Sequence, residues 1–176
     1  NDPAGGRAGH SDNRPPAGLF GPRATDRPSW PATVTVGQGR TAVTLTVLPQ
    51  GRDLIALLTG GQTHVGAVAV YAPDSGQAPD AAGPWVARAE TYDVACAVPG
   101  HREGPLAREV ATRLAEAAAC ACVAVVGIHQ DAATKAEIDA IVRHAGEAIG
   151  RMGHRLRRAA ARTKDTDEDD IPDSRT

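Results

Sequence analysis

Leu54–Val70 reads LIALLTGGQTHVGAVAV, and its interpretation decides the fold. Two apolar runs flank Gly60-Gly61-Gln62-Thr63-His64. Each run has the length of a strand and is too short for a typical helix or a membrane span. Paired glycines reach positive φ without steric cost, so the hinge reads as a tight reversal between two buried strands. On that reading His64 projects from the end of a central hairpin.

Outward from this stretch, Thr33–Val36 and Thr41–Val47 alternate with period two, as half-buried strands do. Gly37-Gln38-Gly39-Arg40 and Pro49-Gln50-Gly51 supply the turns between them. Trp85–Val98 reads as a longer strand after a polar, Pro/Gly-rich loop over 73–84. The period then changes. Pro105 suits the first turn of a helix whose apolar stripe is Leu106, Val110 and Leu114. Cys122–Ile128 (CVAVVGI) is continuously apolar, the mark of a central strand covered on both faces. Thr134-Lys135-Ala136-Glu137 matches a capping box and opens a last helix with Ile138, Ile141, Val142, Ala145, Ile149 and Met152 inward. The sum is a β-meander followed by α-β-α: an α+β fold, an α/β sandwich with one mixed sheet and helices packed against it.

The ends differ in composition. Residues 1–30 are Gly/Pro/Ser-rich and read as disordered, with His10 idle there. Residues 31–153 form the single domain. Residues 154–176 turn basic over Arg155–Arg162 and acidic over Asp165–Asp173, the pattern of a charged, disordered tail. An Arg-rich helical extension docking on a partner is the other reading of that segment.

Totals exclude several classes. A net charge of −2 over 176 residues gives no reason to expect nucleic acid or an anionic membrane surface. No apolar run approaches the roughly 20 residues that cross a bilayer. Cys96, Cys120 and Cys122 lie in apolar contexts without framework or zinc-finger spacing, which points to reduced thiols and a cytoplasmic setting. Dinucleotide, Walker and nucleophile-elbow signatures do not occur in the chain.

What remains is repetition of one theme. His64, His101 and His129 each sit in a Gly-containing loop after a strand, and Glu103 and Asp131 follow the last two at a spacing of two. Imidazole with carboxylate suits a divalent ion such as Mn, Fe or Zn. Gly100–Gly104 leads into a helix N-terminus, where free N–H groups favour an anion such as a phosphate. Convergence of the three loops on one site is the expectation. His144 and His154 read as ordinary helix residues.

Three segments, GRDLIALLTGGQTHVGAVAV (51–70), PGHREGPLA (99–107) and VVGIHQD (125–131), resemble the small D subunit of gallate-type, UbiD-like decarboxylases. That family is described as a prenylated flavin chaperone with a fold related to proteasome-assembly chaperones. The resemblance spans about Thr33–Met152. It implies a chain that is not itself the decarboxylase, binds prenylated FMN with a divalent metal, and delivers it to the large subunit. It also implies a homodimer, with a flavin prenyltransferase as a further partner. On this chain it makes His64, His101 and His129 metal or cofactor ligands, completed by Glu103 and Asp131. Gly60, Gly61, Gly100 and Arg102 would hold the flavin phosphate, and Tyr71, Trp85 and Tyr92 are the aromatic candidates for the ring. The competing readings are a small metal-dependent enzyme, and an assembly module that binds no cofactor.

Overall fold

The computed structural model describes residues 30–73 and 92–168, with side chains for all of these except 92–94 and 162–168. The expected disordered segment 1–30, all but Trp30, and most of the 73–84 loop lie outside the described residues, as does Trp85.

The chain runs β1 (Ala32–Val36), a 3-10 turn (Gly39–Thr41), β2 (Val43–Gln50), β3 (Asp53–Gly61), β4 (Ala67–Ala72), β5 (Tyr92–Ala97), α1 (Gly104–Ala118), β6 (Cys122–His129) and α2 (Lys135–Glu168). One six-stranded sheet has the order β1-β2-β3-β6-β4-β5. All neighbours are antiparallel except β3 and β6, which run parallel from Leu54↔Cys122 to Gly61↔His129. The sheet is mixed, as the sequence predicts.

The central hairpin does not form. β6 lies between β3 and β4, and Gly60–Gly66 is a crossover that passes over its end. Gln62 N–H donates to His129 O at 2.8 Å, and Gly66 N–H donates to Val126 O at 2.9 Å. The reason is hydrogen-bond demand: an interior apolar strand needs partners on both edges, and two short flanking strands supply them.

Alternation of side chains builds one core. Leu45, Leu58 and Val126 stand in register across β2, β3 and β6 and are fully enclosed with Leu114 of α1 and Met152 of α2. Burying each such side chain contributes about 1.5–3 kcal/mol. Both helices lie on this face, α1 over β4, β5 and β6 and α2 over β1 and β2. The other face carries Ile55, Leu57, Val68, Val70, Val123 and Val125, all half-buried. β6 is therefore covered on one face only among the described residues, not on both.

Thr134 and Glu137 form the reciprocal capping box of α2, Glu137 N–H to Thr134 Oγ1 at 3.2 Å and Thr134 N–H to Glu137 Oε2 at 2.8 Å. The Thr134 N–H, then Arg40, then the Thr134 hydroxyl donate to the Glu137 carboxylate and hold it down at about 2. The inward stripe is Ile141, Ala145, Ala148, Ile149, Met152 and Leu156. Ile138 and Val142 are exposed, contrary to the expected stripe: Ile138 lies in the first turn of α2, ahead of the buried run that starts at Ile141, and Val142 lies at the edge of the stripe. The helix continues beyond Gly153 through Arg155–Arg162, anchored by fully buried Leu156. His144 donates or accepts through Nδ1 at 2.8 Å from Thr41 O; since a carbonyl only accepts, Nδ1 carries the proton, and the ring ties α2 to the 3-10 turn.

Candidate functional site

Parallel pairing puts the C-terminal ends of β3 and β6 at the same end of the sheet. β4 is antiparallel to β6 and begins there, and β5 ends there. Four strands thus deliver three loops to one place: 60–66, 98–103 and 129–134.

Two glycines make the loops fit. A Cβ at Gly127 would stand 1.7 Å from His64 O, so the crossover lies directly on β6. A Cβ at Gly66 would stand 2.8 Å from the carboxyl carbon of Glu103. The sequence reading had neither as a site residue; the only signal was their position next to the histidine segments. Val98 N–H donates to Gly66 O at 2.8 Å, and His101 N–H closes a turn on Val98 O at 3.0 Å. These bonds tie the second loop to the first.

His64, His101 and Glu103 come together, with ligand-type atoms of all three within 4.8 Å of one another. His64 Nε2 and His101 Nδ1 are 3.1 Å apart. Glu103 approaches His64 Nε2 at 3.8 Å and His101 Nδ1 at 3.5 Å. His64 Nδ1 lies 3.1 Å from Gln62 O, and a carbonyl cannot donate, so Nδ1 holds the proton and Nε2 turns its lone pair to the cluster. Glu103 stands at the N-cap of α1 yet makes no side-chain cap bond; it accepts from Arg102 N–H at 2.8 Å and faces the histidines.

His129 and Asp131 behave differently. The His64 and His129 ring centroids are 6.0 Å apart, but His129 Nε2 is spent on Asp131 Oδ1 at 2.9 Å. Gln62 Nε2 donates to Asp131 Oδ2 at 2.6 Å. The bond from His129, then that from Gln62, holds the Asp131 carboxyl below its ordinary range. Asp131 is thus a partner of His129 and not a member of the His64–His101–Glu103 group.

The other expected residues have local explanations. A Cβ at Gly61 would meet His129 O at 2.0 Å, and one at Gly60 would crowd Ala42 O at 3.0 Å, so strand packing accounts for both. Gly100 has φ +88° with open space around it, so the turn alone requires it. Arg102 is exposed beside the cluster. Tyr71 is half-buried against the core and, like Tyr92, sits at the opposite end of its strand from the histidines. In place of aromatics, Val65 and Val98 flank the cluster with 54% and 42% of their surface exposed.

Cys120 and Cys122 are also at the far end. Burial, then the charge of Asp53, pushes the Cys120 thiol up to about 11; burial, then Cys120, pushes Cys122 up to about 12. Both thiols are thus held protonated at neutral pH, which makes them poor nucleophiles.

A family model described as the prenylated flavin chaperone LpdD-like domain matches residues 37–157. The chain belongs to that family. The match takes in every residue of the cluster and stops within α2. No curated protein matches the chain. A solved chain from a chaperone complex for yeast 20S proteasome assembly is similar at a TM-score of 0.40 and 8% identity, over 70% of this chain and 98% of that one. Among the described residues no helix is long and apolar enough to cross a membrane.

Proposed function

We propose that this LpdD-like chain binds prenylated FMN together with a divalent metal ion and delivers it to a UbiD-like aromatic acid decarboxylase. The observation that carries the reading is the His64–His101–Glu103 cluster beside exposed Val65 and Val98.

The donor set fits a borderline divalent ion. Two nitrogens each about 2.1 Å from a common ion, at octahedral to tetrahedral angles, stand about 3.0–3.4 Å apart. The 3.1 Å between His64 Nε2 and His101 Nδ1 falls in that interval. The Gln62 carbonyl fixes the tautomer, as a supporting shell does for metal-bound histidine. Glu103 brings the negative charge that a divalent ion requires.

A bound prenylated FMN supplies the electrophilic flavin chemistry that the decarboxylase uses. This chain's residues do the holding. His64, His101 and Glu103 would hold the ion, Arg102 and the Gly100 turn would serve the phosphate, and Val65 and Val98 would offer the ring aliphatic surface. His129, oriented by Asp131, lines the remaining side of the mouth.

The bare sheet face supports a homodimer. Its middle is aliphatic, and its threonines satisfy one another in pairs, Thr33 with Thr46 at 3.3 Å and Thr35 with Thr44 at 3.0 Å. Six strands about 4.8 Å apart and roughly seven residues long present about 650 Å², close to the ~800 Å² per partner of a standard interface. Cys96, exposed on β5 opposite Val68, reports on this face. Its alkylation rate should fall as protein concentration rises.

The test is an absorption spectrum with mass and metal analysis of protein co-expressed with a flavin prenyltransferase, then desalted. Stoichiometric prenylated FMN with a divalent ion is the expected result. Folded protein with neither would overturn the reading in favour of an assembly module, and metal with turnover but no flavin would favour an enzyme.

A further inference from the structure

Strand β1 forms one edge of the sheet, and α2 lies alongside it, running the opposite way. His144 bonds Thr41 O just beyond the end of β1, and Arg155, further along α2, donates to Thr33 O near its start at 3.0 Å.

The outer edge of β1 is bare backbone. Thr33 and Thr35 stand opposite Thr46 and Thr44, and the paired hydroxyls meet at 3.3 and 3.0 Å. Side chains approach this closely in antiparallel pairs that exchange no backbone bonds. The N–H and C=O groups of Thr33 and Thr35 therefore point away from β2. The bond from Arg155 agrees, because it reaches the Thr33 carbonyl on that outer side. Arg155 stands in at one point for the N–H of a neighbouring strand, and an edge of this kind is a template for a real one.

Charge runs beside the same edge. Arg151, Arg155 and Arg158 are exposed and follow the i, i+4, i+7 spacing of one helical face, so Arg151 and Arg158 lie a turn before and a turn after the arginine that touches β1. With Gly150 and His154 they line an open groove. No acidic residue lies between Glu147 and Asp165. Arg151 pairs with Glu147 at 2.6 Å, an exposed i, i+4 contact of the weak kind that exchanges readily. Among the described residues Arg158 makes no ion pair.

We propose that the β1 edge and this arginine row together dock an extended acidic segment of a partner protein, added to the sheet as a further strand. In a strand laid against β1, every second side chain points to the helix side of the sheet, at intervals of about 6.7 Å. Arg151 and Arg155 are about 6 Å apart along the helix. The surface therefore selects carboxylates on alternate residues. Main-chain bonds to Thr33 and Thr35 supply affinity, and the arginines supply the choice of partner.

The probe is a fluorescein-labelled nonapeptide of alternating Thr and Glu, followed by anisotropy against the full-length chain, with a Thr/Lys peptide as its counterpart. The Glu peptide should bind at least about tenfold more tightly than the Lys peptide, and raising salt from about 50 to about 200 mM should weaken it severalfold. Saturating Glu peptide should slow hydrogen exchange at the Thr33 and Thr35 amides by about tenfold or more. Arg151→Glu/Arg158→Glu, two charge reversals at exposed residues, should abolish binding at unchanged helix content by circular dichroism. Thr35→Pro removes one outward N–H, which an edge strand tolerates, and should weaken binding by about tenfold. Binding that leaves the two threonine amides unprotected would overturn strand addition. Equal affinity for the Glu and Lys peptides, or no binding of either, would overturn the acidic docking surface.

Discussion

His101–Glu103 and His129–Asp131 have the same residue classes at the same spacing, at the same end of the same sheet, yet they are chemically unlike. Glu103 is enclosed, with 15% of its side chain exposed, and stops 3.5 Å from His101. Asp131 is 70% exposed and hydrogen-bonds His129 at 2.9 Å. The difference lies in what else each carboxylate touches. Gln62 saturates Asp131 from the side, whereas Glu103 meets two imidazoles and one backbone amide. A pair that satisfies itself holds a ring in place; a pair left short of contact offers donors to something else.

The sharpest way to break this contrast is to remove one ring from each group. His64→Ala should lower divalent-metal affinity by about a hundredfold or more, measured by competition with a chromophoric chelator, while His129→Ala should lower it by about tenfold or less. Equal losses would mean that the two pairs act as one ligand set. Next in size are the glycines beneath the cluster. Gly127→Ala must displace the His64 carbonyl and should destabilise the fold by about 2–4 kcal/mol in denaturant unfolding. Gly66→Ala pushes first on the Glu103 carboxylate, and should cost about tenfold in metal affinity with a much smaller change in stability.

A smaller effect belongs to acid pH. Glu137 has its carboxyl lowered to about 2 by Thr134 and Arg40, against about 4.3 in an unfolded chain. Its contribution is complete above that unfolded value and disappears as pH falls through about 2. Glu137→Gln should therefore lower the melting temperature at neutral pH and flatten its decline between about pH 5 and 2. The smallest response is expected from the other end of the molecule. Cys120 and Cys122, with thiols raised to about 11 and about 12, should resist a disulfide reagent at pH near 8 until the chain is unfolded.

Local signals carried much of this architecture. The continuous apolar run of β6 marked it as interior, and the Thr134–Glu137 box marked the start of α2. The pairing of β3 was misread, because its partner lies more than sixty residues later and the paired glycines are equally compatible with a crossover. Ile138 and Val142 depart from the expected stripe because periodicity gives a face without saying where along the helix it meets the sheet or how wide the contact is. At the site, residue type singled out His64, His101 and Glu103. That Asp131 would be engaged elsewhere depended on Gln62, whose backbone and side chain act in three directions that no spacing rule encodes.

The intrusion of β6 between β3 and β4 also orders events in time. His64, His101 and Glu103 all precede Cys122, so a nascent chain that has reached α1 already owns the whole cluster in sequence. It has no surface on which to assemble it, because the crossover rests on Gly127 and its bonds end on Val126 and His129. Long-range strand insertion is slow compared with local structure. The cluster is thus completed only once β6 has been made and inserted, so a partly synthesised chain carries its residues without their arrangement.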